Sequence, residues 1–126
     1  MTDKKIKSIT TLIDTAVLDE LKSIMEDEFA DVLQIFLDES VTLMSEVFAA
    51  FEEESDNMIR SVHTLKSCSR NVGAMHLGMI AEKMEENLIN KDVAAAKSKL
   101  DELQDTFTQS HAKIKKCMQD NMDEVA

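Results

Sequence analysis

Along most of this chain, apolar positions recur at alternating steps of three and four. Over residues 27–54 the run is Phe29, Leu33, Phe36, Ser40, Leu43, Val47 and Phe51, the stripe of one long amphipathic helix. A shorter helix precedes it, capped by Asp14 and carrying Val17, Leu21 and Ile24 on its apolar face. Ser55-Asp56-Asn57 reads as a turn, with Ser55 or Asp56 as N-cap of a third helix that carries Ile59, Val62, Leu65, Ser69 and Val72. Asn71-Val72-Gly73 is its exit, with Gly73 in the left-handed conformation. A fourth helix over residues 75–90 buries Leu77, Ile80, Ala81, Met84 and Leu88. Lys91-Asp92 interrupts the pattern, and Asp92 caps a long last helix with the seam Ala96, Leu100, Leu103, Phe107, Ser110, Ile114 and Cys117. Residues 1–13 form a loose N-terminal strap in which Ile6, Ile9, Leu12 and Ile13 can pack, and residues 120–126 a frayed acidic tail.

Helices with one apolar stripe each cannot bury those stripes alone. Two long and two medium helices with short connections predict an all-α fold, an antiparallel four-helix bundle with an additional short N-terminal helix over one end. The 126 residues suit a single domain. Composition agrees: Pro, Trp and Tyr are absent and Gly occurs twice, while helix formers abound. With the four stripes used up in one bundle, a monomer is expected.

Charge narrows the function classes. A net charge of -11 argues against nucleic acid and anionic membranes, since both require a basic footprint. The apolar runs are too short for a membrane span or a signal peptide, so a cytoplasmic protein is expected. Cys68 and Cys117 are too few for a disulfide framework and are expected as thiols.

The acids are unevenly spread. Residues 57–81 contain none, where the chain's average would put about five. Within that window Arg60, His63, Lys66 and Arg70 recur at helical spacing. His63 is about 100° round the helix from Val62, so it faces outward when Val62 faces the core. An exposed imidazole is largely neutral and nucleophilic at pH 7 and needs no buried base. A basic face around an uncovered histidine suits the handling of an anionic group.

These residues carry a resemblance. His63-Thr64-Leu65-Lys66-Ser67-Cys68-Ser69-Arg70-Asn71-Val72-Gly73-Ala74, continuing through Leu77, Ala81, Met84 and Glu85, resembles the histidine phosphotransfer (HPt) domain family. Residues 17–40, with Glu28-Phe29, Leu33, Phe36, Leu37 and Ser40, are similar to stand-alone bacterial members. The resemblance implies that His63 is phosphorylated, at Nε2, that Lys66 screens the phosphoryl charge, and that Glu85 orients the imidazole. It implies a phosphorelay intermediate of a two-component system. The partners would be receiver domains of hybrid sensor kinases and response regulators, with the receiver supplying magnesium and this chain binding no cofactor. Ile59, Arg60, Ser67 and Arg70 would meet the receiver. The family usually has Gly where this chain has Ser67, which implies altered partner preference. Cys68 stands where Ser or Ala is common and reads as a small packing residue.

A different class of function stays open: a binding-only helical module that sequesters a receiver without phosphotransfer and tolerates His63→Gln. A metal site is not expected, because Arg60, Gly73 and Thr108 stand three residues before the three histidines, so no Glu-x-x-His occurs. His76 reads as a solvated or capping residue and His111 as partly buried packing. No phosphate-binding glycine loop or catalytic triad marks a self-sufficient enzyme.

Overall fold

The stripes fold against one another as four antiparallel helices in a ring. The computed structural model describes residues 11–125, with side chains as far as residue 121. The elements are α1 (Thr15–Met25), a single 3-10 turn (Glu26–Glu28), α2 (Phe29–Glu53), α3 (Met58–Asn71), α4 (Met75–Ile89), α5 (Val93–Lys97) and α6 (Leu100–Val125). Helix α2 packs on α3, α3 on α4 and α4 on α6, and α6 closes the ring on α2. Helix α1 lies against α2, and α5 against α4. Among the described residues there is no strand, and no helix is long and apolar enough to cross a membrane.

The core is the set of stripes. Phe29, Leu33, Val47 and Phe51 of α2 meet Val62 and Leu65 of α3, Leu77, Ile80 and Met84 of α4, and Leu103 and Ile114 of α6, all nearly without solvent contact. Burying a side chain of this size contributes about 1.5–3 kcal/mol, so these positions dominate the fold. Three serines interrupt the seam at Ser40, Ser69 and Ser110. Ser40 Oγ donates to Leu37 O, whereas the Ser69 and Ser110 hydroxyls have no partner among the described residues.

Several boundaries and faces differ from the sequence expectation. The last helix is two: α5 ends at Lys97 and α6 starts at Leu100. Ser98 Oγ donates to Ala95 O, Lys99 N–H closes a three-residue turn on Ala96 O, and Lys99 Nζ reaches Asn87 Oδ1 of α4 at 3.0 Å. Those contacts tie the turn to α4 and redirect the chain, which periodicity does not register. Asp92 does cap α5, accepting from Ala95 N–H. The N-cap of α3 is Asn57, not Ser55 or Asp56: Ser55 Oγ accepts from Asn57 N–H one step too early, and Asn57 Oδ1 is taken by Arg60. Ile24 is 68% exposed, because α1 turns Leu18 to the core instead. Leu43 is half-buried beside buried Met44, and Cys117 half-buried beside buried Met118. Helix α6 runs to Val125. Ile6 and Ile9 lie outside the described residues; of the expected strap, Ile13 is buried and Leu12 half-buried.

Gly73 ties α1 to the turn between α3 and α4. Its φ is +81°, and a Cβ there would stand 2.8 Å from Asp14 O. Asp14 N–H donates to Gly73 O at 2.7 Å, while Ala74 N–H and Gly73 N–H close on Ser69 O and Arg70 O. The pair is a Schellman ending of α3, available at low cost to glycine.

Candidate functional site

Helix α3 projects His63 from the bundle because Val62 and Leu65, its neighbours in sequence, are drawn into the core. The imidazole is 56% exposed. Its Nδ1 lies 2.6 Å from Glu85 Oε2, on α4. The other oxygen of that carboxylate, Oε1, accepts from Lys66 Nζ, also at 2.6 Å. Glu85 is 13% exposed and Lys66 17%. One carboxylate therefore joins the two basic groups of α3, one oxygen to each.

The charge state of Glu85 follows from these contacts. The Lys66 hydrogen bond, reinforced by that of His63 and by the Lys66 charge, holds the carboxyl below its ordinary range, against the opposing effect of burial. An ionised carboxylate only accepts hydrogen bonds. The His63 ring therefore carries a proton on Nδ1, and in its neutral form the lone pair is on Nε2.

The rest of the face is less positive in space than along the chain. Arg70 is held by Glu82 of α4 at 2.8 Å, and Arg60 by Asn57 Oδ1 at 3.1 Å. The acid-free window of α3 faces a helix that supplies two acids. Ile59 is 42% exposed one turn before His63, and Ser67 is exposed one turn after it. His63, Lys66 and Arg70 thus face α4 with Glu85, Arg60 lies on the α2 side of His63, and Ile59 and Ser67 are exposed on α3 one turn to either side of it. Cys68 is half-buried and its thiol is pushed up by burial, then by the nearby charge of Glu39, which suits packing.

Sequence reasoning missed Glu82 and Gly78. A Cβ on Gly78 would stand 2.9 Å from Arg70 Cγ, so this glycine makes room for the Arg70 stem on its way to Glu82. A glycine inside a helical pattern costs about 1 kcal/mol relative to Ala, and that cost was the available signal. His76 and His111 lie apart from the site. His76 Nε2 is 3.8 Å from Glu102, and His111 Nε2 lies 3.0 Å from Leu37 O. Among the described residues no three His, Cys, Asp or Glu side chains are grouped to hold a metal ion.

The family model of the Hpt domain matches residues 31–113, a span that includes His63, Lys66 and Glu85. The chain belongs to the Hpt domain family. Its role is histidine phosphotransfer in a phosphorelay, where Hpt domains work with receiver domains. The fold is similar to the crystal structure of histidine-containing phosphotransfer protein B (HptB) from Pseudomonas aeruginosa PAO1. The identity is 24% and the TM-score 0.81, over 88% of this chain and 97% of that one. No curated protein matched this Hpt domain.

Proposed function

We propose that the protein is a phosphorelay intermediate that accepts a phosphoryl group on His63 from a receiver-domain aspartate and passes it to an aspartate of a second receiver. The observation that carries this reading is the 2.6 Å contact of Glu85 with Nδ1, which fixes a proton there and points the Nε2 lone pair of the neutral ring away from Glu85 on a 56% exposed side chain. The Nε2 lone pair attacks the phosphorus of the acyl phosphate; the N–P bond forms as the P–O bond breaks and the aspartate carboxylate leaves. Positive charge then develops on the ring, and Glu85 meets it at Nδ1–H.

The receiver brings the activated phosphate and its magnesium, because this chain supplies only the nucleophile, its positioning groups and a docking surface. Ile59 is suited to anchor that docking, with Arg60, Ser67 and Arg70 around it. Ser67 in place of the usual Gly adds bulk one turn from the imidazole and shifts partner preference. The protein acts as a monomer in the bacterial cytoplasm.

The test is phosphotransfer from a radiolabelled phospho-receiver in magnesium, comparing wild type with His63→Gln. Acid-labile, base-stable label on the wild type alone is the expected result. A wild type that stays unlabelled across receivers able to phosphorylate another Hpt domain would leave the binding-only module.

A further inference from the structure

Lys66 does not stand free to meet a phosphoryl group. Its Nζ is engaged 2.6 Å from Glu85 Oε1, on a side chain that is only 17% exposed. The second oxygen of the same carboxylate holds His63 Nδ1. A carboxylate that shares its charge with an ammonium presents less of it to the imidazole. We propose that Lys66 acts on the transfer through Glu85, as a positioning residue that limits the negative charge the carboxylate presents to His63. The proposal deepens the carrier reading and rests on it.

The chemistry calls for such a limit. A carboxylate at Nδ1 favours the imidazolium, in which Nε2 also carries a proton and has no lone pair to attack with. The same carboxylate stabilises the ring charge that develops once Nε2 is phosphorylated. Too little charge leaves the ring unoriented and the product unsupported. Too much makes the resting ring a poor nucleophile near neutral pH. Lys66 on the far oxygen sets the balance without approaching Nε2.

Other charged groups surround the ring without sharing this arrangement. On α3, Arg60 is turned to Asn57 Oδ1. On α4, Glu82 is held by Arg70. On α2, Glu46 and Glu53 line a groove of about 400 Å³ together with Arg60 and Thr64, on the flank of His63 away from Glu85.

Phosphoramidate tests the idea without a receiver. Its P–N bond breaks as the Nε2–P bond forms, and ammonia leaves. Initial rates of His63 labelling would be followed from pH 5.5 to 9 for wild type, Lys66→Met, Glu85→Gln and the double variant, with Lys66→Arg as conservative control. In Lys66→Met the pH of half-maximal rate should rise by about 1 unit, while the rate at high pH stays within about threefold of wild type. Lys66→Arg should restore the wild-type profile. In the Glu85→Gln background, Lys66→Met should leave the half-maximal pH within about 0.3 unit. A pH-independent loss of about tenfold or more in Lys66→Met would mean that Lys66 meets the phosphoryl group directly, and the proposal falls. An equal displacement in both backgrounds would make Lys66 act on the ring through space, and it falls likewise. A wild type that no phospho-receiver labels would sink the carrier reading itself. One that is labelled but gives either overturning profile would sink only this role of Lys66.

Discussion

His63 and His111 each donate one fixed hydrogen bond across a helix pair, and the two are set up for opposite purposes. Between α3 and α4, Glu85 takes Nδ1 of His63, whose side chain is 56% exposed. Between α2 and α6, Leu37 O takes Nε2 of His111, and the ring is half-buried and tilted against Phe107 at 5.3 Å. A carbonyl oxygen is neutral, so it orients a ring without supporting charge on it. A carboxylate does both. The difference teaches that the imidazole itself carries little information. Which nitrogen is held, and by what, separates a nucleophile from a packing residue.

The largest effect expected from breaking this comparison is on labelling by a phospho-receiver. His63→Gln should abolish acid-labile phosphate altogether. His111→Gln should keep it, and should lose about 1 kcal/mol in a denaturant titration from the missing Leu37 contact. Next comes the partner. Glu85→Ala should slow phosphorylation of His63 by about tenfold or more, with circular dichroism unchanged. A rate equal to wild type would mean that the carboxylate is a bystander.

The two regions also lean on different backbone. His63 belongs to the helix whose exit is Gly73, docked on Asp14. Gly73→Ala should cost about 2 kcal/mol or more, from a left-handed residue that must also displace a carbonyl; thermal melting would measure it. Beside His111, Ser110 buries a hydroxyl without a partner. Ser110→Ala should therefore stabilise by about 1 kcal/mol, and a loss of stability in urea unfolding would show that the hydroxyl is satisfied.

The smallest effect is a pH dependence. Glu85 is held below its ordinary value chiefly by Lys66. A carboxyl depressed in the folded state contributes stability that is present above the unfolded Glu value and lost as pH falls through the folded one. The stability difference between wild type and Glu85→Gln should therefore shrink as the pH falls below about 5. Urea midpoints across that range would record it.

Much of the fold was legible because stripes and breakers are local. The α2, α3 and α4 seams, the left-handed Gly73 and the Asp14 and Asp92 caps follow from spacing and backbone chemistry within a few residues. The division between α5 and α6 was not, because it depends on Lys99 reaching Asn87 on another helix. The N-cap of α3 is not legible locally, because Asn57, Ser55 and Asp56 are all competent caps and nothing local ranks them. The exposure of Ile24 is not legible either, because a short helix has more apolar residues than the end of the bundle can cover.

The sequence by itself determined the helical stripes, the outward placement of His63 relative to Val62, and the histidine-centred motif that marks the family. Those depend on angles and neighbours along one chain segment. Only the tertiary structure decided what the basic face is worth. Residues 57–81 contain no acid, yet α4 brings Glu85 to His63 and Lys66, and Glu82 to Arg70, from residues 12 to 22 positions away. Charge acts through space, so a window that reads as positive along the chain becomes a set of paired groups once a second helix is laid beside it.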